Sequence, residues 1–148
     1  MTWKPNVTVA AIAERNGSFL LVEEITDDGL RLNQPAGHLE ANESLADAAA
    51  RETLEETAFD FQPQHLVGIY RWRKPDGLNT YLRFAFAGTL GQSHPERGLD
   101  KGIVRVVWLT LEEIRASRDR HRSPMVLRCV EDYLCGNRLP LNLLVSCS

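Results

Sequence analysis

The chain has 148 residues, 43% hydrophobic and 25% charged, with 17 basic against 20 acidic side chains and a formal net charge of −3. That size suits one domain with a sizeable core, so residues 1–148 read as a single unit, and the slight acidic excess argues against a nucleic-acid polymer as partner. Cys129, Cys135 and Cys147 are odd in number and lack metal-ligand spacing, which fits reduced thiols in a cytoplasmic protein. The opening MTWKPNVTVAAIAERNG carries an apolar run of only about seven residues, too short for a signal-peptide core, and no later stretch approaches a membrane span.

In chain order, Val7 to Ala13 reads as a buried strand, and Asn16-Gly17 is a tight hairpin turn from which Phe19 to Glu24 should return antiparallel to that strand. A polar bend at Thr26 to Gly29 leads through Leu30 and Leu32 to a turn marked by Pro35 and Gly37. Asn42 is the expected N-cap of a helix starting near Glu43 or Ser44. Along it, Glu52, Glu55 and Glu56 fall on one face, while Ala46, Ala49, Ala50, Thr53, Leu54 and Thr57 form a small, apolar arc suited to lying on a sheet. The three acids repel one another and sit late in the helix, where the macrodipole disfavours negative charge. Broken local rules of this kind mark functional sites, and a hard divalent cation with oxygen ligands turns the repulsion into attraction.

Beyond the helix, Leu66 to Trp72 and Thr80 to Leu90 read as strands joined by a turn at Lys74-Pro75-Asp76-Gly77. Arg71, Trp72, Arg73, Tyr81 and Arg83 are expected to face outward, where an aromatic ring among guanidinium groups suits a phosphorylated heterocycle; an ordinary exposed strand face is the alternative. Gly88 to Gly102 is expected to be a long loop. Val104 to Thr110 is the last strand. Thr110 and Glu113 form a capping-box pattern for a helix reaching about Arg118, and a second helix runs from about Pro124, capped by Ser123, to Cys135 with Gly136 as its stop. Between them the basic run Arg118 to Arg122 either docks phosphates, through Arg122 above all, or is a solvated connection. The apolar tail LPLNLLV should pack back on the body. This order of elements implies an α/β fold, a mixed sheet covered by helices on both sides.

Gly37, Glu43, Arg51, Glu52, Glu55 and Glu56 match the pattern G-x5-E-x7-R-E-U-x-E-E-x-G-U, with U a bulky aliphatic residue, so the segment 37–59 resembles the Nudix box of the Nudix hydrolases. Thr53 stands where an aliphatic residue is usual and Ala58 replaces the second glycine, from which a slightly different exit from the helix is expected. The strings NQPAGHLEA, AAARE, QPQH, LRF and RSP bring the chain closer, within that family, to the NudJ-type phosphatases.

The resemblance implies an α/β/α sandwich and hydrolysis of phosphoanhydride bonds in nucleoside tri- and diphosphates and thiamine pyrophosphate. It implies Mg²⁺, with Mn²⁺ able to substitute, held by Glu52, Glu55, Glu56 and the Gly37 carbonyl, and catalysis by those glutamates with Arg51. Arg51 and Glu43 are expected to orient the ligands from behind, and Glu40 to shape the loop by bonding backbone amides. Glu52 could act as general base, with Glu96 or Asp100 from the later loop as alternatives. Substrate contacts fall to Arg71, Trp72, Arg73, Arg83 and Arg122. Another Nudix specificity, such as a nucleotide sugar or an oxidised nucleotide, and a catalytically idle nucleotide-binding module remain open. The expected partner is a small phosphorylated substrate, with no nucleic acid and no membrane, bound by a monomer or a dimer.

Overall fold

The computed structural model describes residues 2–147. Its elements are β1 (Asn6–Ile12), β2 (Glu14–Arg15), β3 (Ser18–Thr26), β4 (Gly29–Asn33), β5 (Ala36–His38), α1 (Leu45–Thr57), β6 (Phe59–Arg73), β7 (Thr80–Ser93), β8 (Ile103–Thr110), α2 (Leu111–Ala116) and α3 (Met125–Leu134), with 3₁₀ turns at Arg118–Arg120 and Leu141–Leu143. The strands form two sheets. One is mixed, in the order β5-β1-β7-β6, with β1 and β7 parallel; in the other, β3 pairs antiparallel with β2, β4 and β8.

The first hairpin differs from expectation in one respect. Asn16 and Gly17 both take positive φ, as a two-residue hairpin turn requires. That turn, however, joins only β2 to β3, while β1 lies between β5 and β7 in the other sheet. Val9 to Ala13 are buried throughout, which a central strand flanked on both sides requires and an edge hairpin does not. Strand β6 begins ahead of its apolar run, and β6 and β7 both end later than theirs, so only residues 94–102 of the expected Gly88–Gly102 loop lie outside strands.

Two apolar clusters cover the faces of the mixed sheet. Ala48 and Ala49 of α1 pack with Val9, Ala11 and Phe86 on one face; Cys129 and Val130 of α3 pack with Ile12, Val67 and Ala85 on the other. The result is an α/β/α sandwich, as the order of elements implied. The tail returns as expected, Leu139 bridging to Leu66 and Leu141 and Leu144 joining the α1-side cluster. The capping box of α2 is present in both directions, but the helix stops at Ala116. Ahead of α3, Ser123 Oγ accepts from Met125 N at 3.2 Å although Pro124 is the capping position itself. No helix among the described residues is long and apolar enough to cross a membrane.

Helix α1 is capped by Ser44, whose side chain accepts from Asp47 N at 3.0 Å, and not by Asn42, which turns the chain with φ 69°. Thr53 and Thr57, buried on the sheet side, bond the carbonyls four residues back, Thr53 Oγ1 to Ala49 O at 2.7 Å and Thr57 Oγ1 to Thr53 O at 2.6 Å. A threonine therefore serves in an aliphatic place because its hydroxyl is satisfied inside the helix. At the C-terminus Ala58 takes φ 63° and donates to Leu54 O at 2.9 Å. The exit expected to differ is instead the left-handed turn a glycine would make, with alanine bearing the strain. Ala58→Gly should raise stability by a few tenths to about 1 kcal/mol, since the relieved strain exceeds the loss of one methyl's packing. Thermal unfolding checks this, with an expected rise in Tm of up to about 3 °C.

Candidate active site

The carboxylates of α1 gather around one guanidinium. Arg51 Nε and Nη2 bond Glu43 at 2.9 and 2.8 Å, Nη1 bonds Glu52 at 2.9 Å and Glu55 at 2.8 Å, and Nη2 reaches His38 O at 3.0 Å. The spacing explains this: residues 51 and 55 are one helical turn apart, and the bend before α1 brings Glu43 back over the same turn. Hydrogen bonding to Glu43, with the other carboxylates adding, pushes the Arg51 pKa further up, and Arg51 in turn holds Glu43 below the usual carboxylate range. The loop expectation for Glu40 is reversed: Glu43 Oε1 accepts from Glu40 N at 2.8 Å, and the Glu40 carboxylate lies 3.5 Å from Arg51 Nη1.

A further acid arrives from outside the helix. Residues at a helix C-terminus leave carbonyls without intrahelical partners, and the loop 94–102 supplies donors for two of them. His94 N donates to Ala58 O at 2.8 Å and Asp100 N to Glu55 O at 3.0 Å. This docking sets Asp100 beside Glu52 and Glu55, with one carboxylate oxygen of each within 4.8 Å of the others. Glu96 stays out, exposed and 3.8 Å from His94 Nδ1, while His94 Nε2 meets Asp60 at 3.0 Å. Glu56 turns inward, where its Oε1 accepts from Ala36 N at 3.0 Å.

Gly37 closes the arrangement. A Cβ at that position would stand 2.2 Å from the Glu52 carboxylate, so β5 approaches the acids as only glycine allows. Oxygen donors at ligand-sharing distances, and a backbone pressed against them, fit a hard divalent cation. Burial pushes the Glu52 carboxyl up to about 7 and the Glu56 carboxyl up to about 8, while burial and the charge of Glu55 raise Asp100. Such shifts express how poorly this pocket tolerates its negative charge without a cation.

On the other face of the mixed sheet, a cavity of about 190 Å³ opens beside β5, lined among others by Gly37, His38, Thr8, Trp72, Tyr81 and Arg83. Strand alternation sorts the expected substrate residues. Tyr70, Trp72, Tyr81 and Arg83 share the cavity face through the pairs Trp72↔Tyr81 and Tyr70↔Arg83. Arg71 and Arg73 alternate with Trp72, project exposed from the opposite face and do not line the cavity. Arg83 is not outward either: it is 3% exposed and bonds Gln34 Oε1 at 2.8 Å and Asn33 Oδ1 at 2.9 Å. Arg122 lines the cavity and pairs with Glu24 at 2.7 Å, and Arg120 pairs with Glu23, so the basic run is tied to β3 and is neither free nor merely solvated. Asn33, Gln34 and Glu24 were given no role from sequence; two adjacent amides, Asn33 closing β4 and Gln34 just after it, were the available signal.

Fold and site together define a class, an α/β/α enzyme whose acidic helix edge meets a glycine bend beside a cavity. A family model described as the NUDIX domain matches residues 2–129. The chain is 43% identical over 142 residues to the phosphatase NudJ of Escherichia coli K12, covering 96% of this chain and 92% of that protein. A NUDIX hydrolase from Nitrosomonas europaea superposes with TM-score 0.94 at 50% identity, over 97% of this chain and 98% of that one. An ADP-ribose pyrophosphatase from Streptococcus suis shares the fold at TM-score 0.67 and 16% identity, over 92% and 96% of the two chains. The chain belongs to the Nudix hydrolase family, and it is a hydrolase acting on phosphorus-containing anhydrides.

Two predictions follow from the geometry. Gly37→Ala should leave the fold intact, because Glu52 can swing its carboxylate aside, and should cut activity roughly 100-fold by misplacing that carboxylate. Circular dichroism and steady-state kinetics check both halves. In chelator, the raised carboxyls of Glu52 and Glu56 take up protons on folding, so their contribution to stability is full below about pH 4.5 and is lost as pH rises through 7 to 8. The lowered pKa of His121 acts in the opposite sense, but it is one smaller shift against two large ones. Tm should therefore fall from pH 5 to pH 8 in chelator, and excess divalent cation should lift it more at pH 8 than at pH 5.

Proposed function

We propose that this enzyme is a Mg²⁺-dependent phosphohydrolase of the NudJ type, releasing phosphate from nucleoside tri- and diphosphates and from thiamine pyrophosphate. The observation that carries the reading is the convergence of Glu52, Glu55 and Asp100 against a glycine whose missing Cβ leaves room only for the Glu52 carboxylate. The similarity to the Escherichia coli phosphatase NudJ supports the substrate class. In this reading Mg²⁺, or Mn²⁺ in its place, is held by Glu52, Glu55, Glu56 and the Gly37 carbonyl.

A divalent cation bound there neutralises phosphate oxygens and makes a neighbouring water more acidic. The chain's own groups do the rest. Arg51 fixes the rotamers of Glu52 and Glu55 through its fork, and Glu43 fixes Arg51 from behind, so the donor oxygens are set before substrate arrives. Glu52 takes the proton of the attacking water through the oxygen that ligation leaves free; Asp100 is the alternative base, and its position beside Glu52 and Glu55 favours it over Glu96. The substrate's ring end enters the cavity beside β5, along Trp72, Tyr81 and Arg83, with Arg122 at its wall. Arg71 and Arg73 have no part in binding.

The decisive experiment incubates the purified protein with Mg²⁺ and a panel of nucleoside tri- and diphosphates, nucleotide sugars and thiamine pyrophosphate, and identifies products by ³¹P NMR. Inorganic phosphate from triphosphates is expected; pyrophosphate, or cleavage confined to nucleotide sugars, would assign another specificity. Glu55→Gln should lower kcat by about 10²- to 10⁴-fold with the fold retained. Retention of full activity by that variant sinks the reading.

A further inference from the structure

The buried guanidinium of Arg83 has no carboxylate partner among the described residues. Nη1 donates to Gln34 Oε1 and lies 4.0 Å from Cys129 Sγ, Nη2 donates to Asn33 Oδ1, and the buried Nε has no partner at all. Gln34 is itself held, donating to Val126 O at 2.7 Å. Asp132, on the same helix as Cys129, is committed to Tyr70 at 2.7 Å and to Arg128 at 3.0 Å. A cation 3% exposed, steadied only by two neutral amides and a thiol and with an N–H left over, contradicts the rule that buried charges are paired and buried donors satisfied. Arg83 also lines the cavity, and its Nη2 has two N–H groups of which one is given to Asn33, so an acceptor bound in the cavity can meet the guanidinium there.

Its position says which end of a substrate brings that acceptor. Arg83 pairs with Thr8 and Thr8 with His38, so two interstrand steps, roughly 10 Å, separate its backbone from β5 and the bend that faces the acids. Beside Arg83 on the same sheet face stand Trp72 and Tyr81, ring centroids 5.8 Å apart and planes at 25°, both lining the cavity. At about 190 Å³ the cavity is small against ligand pockets of roughly 300–1,000 Å³, which suits a ring better than a whole nucleotide.

We propose that Arg83, braced by Asn33 and Gln34, reads a hydrogen-bond acceptor on the edge of the substrate's heterocycle and so selects rings that carry one, while taking no part in holding phosphate. This rests on the reading that the cavity takes the end of the substrate remote from the anhydride. Arg83 is then a specificity residue, and replacing the guanidinium changes discrimination between substrates.

The test compares three triphosphates in Mg²⁺: uridine triphosphate, its difluorotoluene isostere, which keeps the ring shape without acceptors, and ribose 5-triphosphate with no ring. For the wild type, KM for the isostere should exceed that for uridine triphosphate by about 10- to 100-fold, with kcat within a few-fold. Arg83→Lys keeps a buried cation and a donor for Asn33 but lacks the planar fork. In it, the ratio of kcat/KM for uridine triphosphate over ribose 5-triphosphate should fall about 10-fold or more. Equal losses on both substrates, leaving the ratio unchanged, would assign Arg83 to phosphate or to packing and overturn the proposal. So would a wild type that accepts the isostere as readily as uridine triphosphate, a result that needs no variant to fold. Turnover of ribose 5-triphosphate without preference for any ring leaves the hydrolase reading standing and removes this inference alone. Inertness toward all three removes the hydrolase reading first and this one with it.

Discussion

Repulsion among carboxylates is the constraint that the site and its supports answer. Glu43, Glu52 and Glu55 all bond Arg51, Glu40 lies 3.5 Å from it, and Asp100 stands against the same group from the loop. A guanidinium has five N–H donors in a rigid fork, and this one spends them on three carboxylates and the His38 carbonyl. Lysine, a point charge on a flexible stem, could not hold Glu43 bidentately while fixing two further acids. One positive charge does not balance three or more negative ones, however. Burial, with the neighbouring acids adding, raises the carboxyls of Glu52 and Glu56 despite a cation or a backbone N–H at hand.

The supports of this cluster come from ordinary rules of helix construction. Small residues and self-satisfied threonines let α1 lie close on the sheet, which carries its outer edge to β5. The left-handed Ala58 frees the last carbonyls of the helix, and the loop 94–102 docks on them through His94 N and Asp100 N. The same geometry that ends the helix therefore delivers a further acid. Structure and chemistry share these bonds, so a change in the helix exit would move Asp100 as well.

Much of this was legible in the sequence, and the failures have physical causes. The capping box at Thr110 and Glu113, the Asn16-Gly17 turn and the packing of the tail are local or periodic features, and each is present, whereas of the three helix acids Glu52 and Glu55 meet Asp100 and Glu56 turns inward to Ala36 N. Ser44 and Asn42 are both good caps, and only the backbone decides between a cap and a turn. The partners of β1 depend on chain segments dozens of residues away, which no local pattern encodes. Arg71, Trp72 and Arg73 could have been separated by strand parity alone. Arg83 could not be placed, because arginine in a strand normally marks a solvated face, and its burial depends on amides contributed by Asn33 and Gln34 some fifty residues earlier.

Two opposite imbalances thus stand on either side of β5. The α1 edge carries more negative charge than Arg51 offsets, and the cavity floor carries a positive charge that no carboxylate among the described residues offsets. They do not neutralise each other, since the acids are clamped by Arg51 on one face of the sheet and Arg83 is clamped by two amides on the other. A molecule with a polyphosphate at one end and an acceptor-bearing ring at the other can relieve both at once, the first together with a cation and the second directly. Binding energy gathered at the ring end is independent of the charge rearrangement at the anhydride, which is the condition for changing substrate preference without disturbing the acids.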